Sequence, residues 1–401
     1  MAQKEIDENG ILEELEVEDV EKVDISEFDI VKKYDEGQAR IVIQRNDFLI
    51  PNILQMVKDR DIMNLAPPYQ RRKRWNNDKR SHLIESLLIN IPIPPIFLYE
   101  RDLAKYEVMD GQQRMDAIRG FFKNEYALTN LKKWPELNNR KYSDLPARIQ
   151  AGLNRRGLAA VIILTESGQS DDSAMEIRQY VFERLNTGGE KLNAQEIRNC
   201  IYASPFNDML VEISRSNLFT SAWNIPPKEP DEPHKVSKTL ENNRLYSVMA
   251  DCEIVLRFFA LEDMKYFKGG MKRALDDCMH RMKGLSKREC LAYHDKYLRC
   301  LSVASRTFGS VLFRLPSKKG ELVARHSVPL SDAILLGISA LNKREAKIMQ
   351  ASSAKVVEKM KKLLNSEDSY KILVGRANTK SSIVDRIDLV TKMFKSIAKG
   401  T

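Results

Sequence analysis

Asp110-Gly111-Gln112-Gln113-Arg114 joins two stretches of opposite character. Upstream, Tyr106 and Val108 alternate with Glu107 and Met109 in the manner of a strand. Downstream, Met115, Ile118, Phe121 and Phe122 recur at the spacing of an amphipathic helix. The first chemistry such a junction offers is capping. Asp110 can serve as N-cap, Gly111 eases the turn, and Gln113 at the third helical position completes a capping box. Capping leaves Gln112 and Arg114 without a task. A cation in the first turn opposes the helix dipole by roughly a few tenths of a kcal/mol. Either Arg114 is a surface side chain, or an anion sits at the turn. Backbone N–H groups, the positive dipole end and a guanidinium would together make a phosphate cradle.

A second polar element precedes it. Pro67 to Trp75, "PPYQRRKRW", packs Arg71, Arg72, Lys73 and Arg74 into one stretch beside Gln70. Four adjacent cations repel one another unless solvated or paired with anions. Trp75 is expected either to anchor this loop to a core or to serve as a stacking platform. A third element is "RLNTGGEKLNAQEIRN". Asn186 and Thr187 end one helix, Gly188 and Gly189 turn the chain as a glycine C-cap, and Asn193 with Glu196 forms a capping box for the next helix.

The elements that must position these residues follow from periodicity. Gln38 to Ile50 reads as a strand, and "IPNILQMVKDRDIM" as one short helix. Past the basic loop, Asn77 is expected to cap a helix with Leu83, Ile84, Leu87, Leu88 and Ile91 on one face. "IPIPPIFLYE" is expected to form a proline-led edge strand, and "LAAVIILTE" a further strand. From about Pro205 onward no segment reads as a sheet. Amphipathic helices such as "CEIVLRFFALED", "LSDAILLGISALN" and "AKVVEKMKKLLNS" alternate with polar loops, one of them the proline-rich Asn224 to Thr239. The expected fold class is therefore α+β: a small α/β domain, then a mostly helical C-terminal region. The expected boundaries are an acidic arm over 1–36, an α/β domain over 37–213 and a helical domain over 214–401.

Composition narrows the function classes. The 401 residues are 43% hydrophobic and 30% charged, as in soluble globular proteins. The longest apolar stretch, around "LIESLLINIPIPPIFLY", is broken by Glu, Asn and prolines, so no membrane span is expected. The acidic N-terminus does not read as a secretory signal, and five scattered cysteines suit reduced thiols in the cytoplasm. Residues 1–36 hold 14 Asp/Glu against 4 Lys/Arg, and the remainder holds 61 basic against 42 acidic residues. A body of charge +19 suits a polyanionic partner, and DNA is the obvious one. The arm is then either a solvated tail or an electrostatic cover. The G-x-x-x-x-G-K-[ST] loop of the P-loop ATPases is missing. Cys278, His280, Cys290, His294 and Cys300 match no zinc-finger spacing, and no metal site is expected.

Tyr-Gln-Arg followed by a tryptophan, "LIESLLINIPIPPIFLY", "MDGQQR" and "FERLNTGGEKLNAQEIRN", in this order, resemble the N-terminal domain family of the GmrSD type IV restriction enzymes. The resemblance covers Gln38 to about Ile213. It implies a ParB/sulfiredoxin-like fold that binds and hydrolyses a nucleoside triphosphate (NTP), with Mg²⁺ as an optional companion, in DNA-directed phage defence. Carried over, Asp110, Gln112, Gln113 and Arg114 form the catalytic set. Gln70, Arg71, Gly111, Arg114, Asn186 and Arg198 are the nucleotide-binding candidates, with Glu196 beside them. Lys73 stands where the family usually has an aromatic residue, a departure that counts against a stacking role there. Bifunctional members add an HNH nuclease. None of His82, His234, His280, His294 and His326 lies in an Asp-His-x-x-Pro setting, so a stand-alone chain with a partner nuclease is expected. Two alternatives stay open: a non-catalytic, nucleotide-sensing or antitoxin-like regulator of such a nuclease, and a domain that itself nicks DNA.

Overall fold

A computed structural model describes residues 26–38, 41–59, 61–65, 75–164, 177–178, 180–182, 184–185, 192–230, 232, 236–316, 322–374 and 378–399. The fold is α+β, as the patterning predicts. The described residues fall into two compact units, 22–193 and 194–401.

The first unit opens with helix α1 (Glu27–Gln38), then strand β1 (Ile43–Leu49) and helix α2 (Ile50–Lys58). A two-residue strand β2 (Met63–Asn64), helix α3 (Asn77–Leu88), strands β3 (Ile96–Asp102) and β4 (Lys105–Asp110) and helix α4 (Gln112–Phe122) follow. Helix α5 (Ala147–Asn154) and strand β5 (Gly157–Ile163) complete the sheet, whose order is β1-β5-β3-β4-β2. Pairing is antiparallel for β1/β5 and β3/β4, and parallel for β5/β3 and β4/β2. Alternation sorts the strands' side chains. Leu98, Val108 and Ile162 are buried in the core with Ile84 and Leu87 of α3 and Met115, Ile118 and Phe121 of α4.

Three local expectations are corrected. The proline-led strand is not at an edge, since β3 lies between β5 and β4. Its prolines end at Pro95, and pairing begins at Ile96 with Ala160, so they cost the ladder no donor. The cap of α3 is Asn76 rather than Asn77; its side chain accepts from the Lys79 N–H at 3.0 Å. The stretch expected to be one short helix breaks after Lys58 and gives β2, whose two residues are too few to show a period.

The second unit is built on helices α6 (Ala194–Ile201), α7 (Pro205–Ser214), α8 (Ala250–Glu262), α9 (Met271–Met282) and α10 (Lys287–Phe308). These are followed by α11 (Val328–Ser339), α12 (Ser353–Asn365) and α13 (Lys380–Ala398), with shorter helices between. Helix α11 is buried on nearly every face. Its one charged residue, Asp332, takes both Nε and Nη2 of buried Arg257, at 3.0 and 2.6 Å, which satisfies the charge away from water. Close approach of α13 is set by Gly337, where a Cβ would lie 3.2 Å from the Phe394 ring. The expectation of no sheet after Pro205 is overturned by a hairpin, β6 (Arg314–Pro316) with β7 (Leu322–His326). Both strands are too short to display alternation beside long helical patterns. Among the described residues no helix is long and apolar enough to cross a membrane.

Candidate functional site: the polar turn between β4 and α4

The junction forms as the sequence suggests, with β4 ending at Asp110 and α4 beginning at Gln112. The capping is different. The N-cap is Gly111, at φ +97°, and no side chain caps the helix. That conformation is strained for any residue with a Cβ, and a Cβ here would also lie 2.6 Å from Ile96 Cγ2. A β-bulge prepares the turn: Leu98 opposes Val108 but Phe97 opposes Asp110, leaving Met109 as the extra residue. Bulges re-aim the side chains that follow them, here Asp110.

Arg114, not the helix N-terminus, receives the Asp110 carboxylate. Nη2 lies 2.5 Å from Oδ2. Nη1 donates to the carbonyls of Pro94 and Pro95, the latter at 3.1 Å. The guanidinium thus supplies donors to both proline carbonyls as well as to the carboxylate. Its side chain is 11% exposed, against 44% for Asp110. Burial pulls the Arg114 guanidinium down from its ordinary pKa, and the Asp110 charge and hydrogen bond oppose that pull. Arg114 therefore fastens the turn to the Pro94-Pro95 segment.

Gln113 does something capping did not foresee. Its side chain is buried, and Oε1 accepts a hydrogen bond from the backbone N–H of Trp75 at 3.0 Å. Trp75 ends the basic loop and packs, half-buried, against the sheet's core. The loop's other end leaves β2, which runs parallel to β4 with Asn64 opposite Glu107. Both ends of the loop are thus tethered to β4 and α4. Gln70 and Arg71, with the rest of residues 66–74, lie outside the described residues, as does Asn186. Gln112 begins α4, half-buried, and the first turn of this helix contains no acidic residue.

Arg198 lies in a different unit of the chain. It belongs to α6 in the second unit, is 2% exposed, and its Nε and Nη1 pair with Asp276 and Glu253 at 2.7 and 3.0 Å. Glu196 is buried on the same helix. Among the nucleotide-binding candidates, the structure brings Gly111 and Arg114 together within the first unit.

Sequence reasoning missed one contributor. Arg178, in the helical residues preceding Asn186, pairs with buried Glu107 on β4, three residues before Asp110. Its guanidinium lies 5.6 Å from the Tyr99 ring centre, and Tyr99 is the cross-strand partner of Glu107. A glutamate among the apolar residues of a central strand was the available signal. Among the described residues no three His, Cys, Asp or Glu side chains are grouped to hold a metal, and all five cysteines are buried free thiols.

Fold and turn define an α+β protein in which a bulged strand, a glycine turn and a helix start share one polar site with Trp75. Residues 51–203 match the family model described as GmrSD restriction endonuclease, N-terminal domain. No curated protein and no solved structure matches the chain. The description of that family is of a restriction enzyme.

Proposed function

We propose that this chain is an NTP-binding and NTP-hydrolysing component of a DNA-directed, cytoplasmic restriction system that works with a separate nuclease. One observation carries the reading. The described residues on either side of the arginine-rich stretch meet this turn: Trp75 is bonded to Gln113 and β2 pairs with β4, and the helix that starts there has no acidic side chain in its first turn. A triphosphate is the ligand class such a concentration of positive charge suits.

The residues divide the work. Arg71 and its neighbours neutralise phosphate charge. Asp110 and Arg114 hold the turn in shape. The Gln113 oxygen is committed to Trp75, so positioning of the attacking water falls to Gln112. The described residues offer Mg²⁺ one carboxylate at the turn, Asp110, already paired with Arg114. A magnesium ion would arrive chelated by the triphosphate and would there offset phosphate charge.

Steady-state phosphate release from each of the four common NTPs, with and without duplex DNA, tests the reading. Release above a protein-free control, lowered by Gln112→Ala with nucleotide binding unchanged, is expected. Binding without release by the wild type would instead describe a nucleotide-sensing regulator.

A further inference from the structure

From the charge and shape of the second unit, we infer that the groove between the end of α10 and the start of α12 is the seat for the phosphate backbone of duplex DNA. The inference rests on the DNA-directed reading above and gives it a place. The groove is open, about 570 Å³, and is lined by Arg306, Gly309, Ser310, Ser353, Glu358 and Lys361 among others. Arg306 from α10 and Lys361 from α12 meet across it, and both are exposed. Neither makes an ion pair or a side-chain hydrogen bond with the described residues. The one lining acid, Glu358, is paired with Lys362 at 2.8 Å, which holds its carboxyl below the usual glutamate range and sets a cation beside its negative charge.

The surroundings fit the same partner. Residues 341–401 carry 14 Lys/Arg against 6 Asp/Glu, a balance of +8 in a chain whose total is +9. Arg299 lies two helical turns before Arg306 on the same face of α10, extending the cationic row by roughly 10 Å. Arginine, lysine and small hydroxyl side chains are the groups that contact DNA phosphates, and Gly309 leaves open space beside its Cα for a backbone to approach. A groove of this kind reads charge spacing rather than bases, so it supplies affinity without sequence preference.

The test uses the full chain and a fluorescent 30-base-pair duplex, with anisotropy followed from low to high salt. Arg306→Glu with Lys361→Glu should weaken binding at least about tenfold. It should also flatten the slope of log K against log salt by roughly 2, because each phosphate contact contributes about 0.9. Arg306→Gln with Lys361→Gln should show the same direction at smaller size, which guards against misfolding of the reversed variant. Lys105→Glu with Lys123→Glu, an equal charge change on the first unit, should leave affinity within about twofold. Poly-glutamate at matched charge should compete at least about tenfold less well than duplex. Wild-type binding that the groove variants leave unchanged, or equal competition by poly-glutamate, overturns the assignment. A wild-type protein that binds no duplex at any salt takes down the DNA reading and this surface together.

Discussion

The Gln113 side-chain oxygen and the Trp75 backbone N–H, 38 residues apart in sequence, meet at 3.0 Å. This bond joins the start of α4 to the end of the arginine-rich loop, and it turns a capping motif into a loop anchor. Gln113→Ala strands a half-buried N–H, which costs about 1–3 kcal/mol. A thermal melt should show the loss, and nucleotide affinity should fall with it, because the loop is freed from the turn.

Arg114→Ala should be equally costly. It breaks the pair with Asp110 and leaves the Pro94 and Pro95 carbonyls without their donor, about 1–3 kcal/mol. Arg114→Lys should recover little, since one ammonium cannot reproduce the fork that spans both carbonyls and the carboxylate. Chemical denaturation of the two variants checks this. A silent Arg114→Ala would mean the latch carries no stability.

Gly111→Ala combines a left-handed backbone with a Cβ placed 2.6 Å from Ile96. The conformational part alone is about 1 kcal/mol or more. Ile96→Ala in the same chain should relieve the collision but not the backbone strain, so the double variant should recover only part of the lost stability on that background. Denaturant melts of the single and double variants measure the difference.

The strand, the turn and the helix from Lys105 to Phe122 were legible because polarity switches period there, from two to 3.6. Other features were not. A glutamine three residues after an aspartate has the signature of a capping box, and only the fold reveals that Asp110 is claimed by Arg114 and Gln113 by Trp75. Arg198 sits in a motif beside the glycine turn, yet its partners Asp276 and Glu253 lie 55 or more residues away, a separation no local pattern encodes. The hairpin of β6 and β7 was hidden by its length. Local periodicity conveyed the elements; long-range pairing decided what the polar residues do.

The second unit should be sensitive to acid. His326 is buried beside Trp223, and burial, aided by the Arg314 charge across the hairpin, lowers its pKa to about 4. The unfolded chain binds the proton at the ordinary value near 6.5, while the folded chain resists it. Stability from this residue is therefore complete above about pH 6.5 and is lost as pH falls toward 4. Urea melts of His326→Gln across this range should show a flatter pH dependence than the wild type.

Calorimetric titration of NTPs into the wild type and Arg71→Ala addresses the central claim most directly. The account predicts saturable binding near one nucleotide per chain. It predicts that Arg71→Ala removes a charge-assisted contact of about 1.5–3 kcal/mol, roughly 10–150-fold in affinity, with the melting temperature unchanged. Absence of binding by the wild type to every NTP at millimolar concentration, or Arg71→Ala binding as tightly as the wild type, would contradict it.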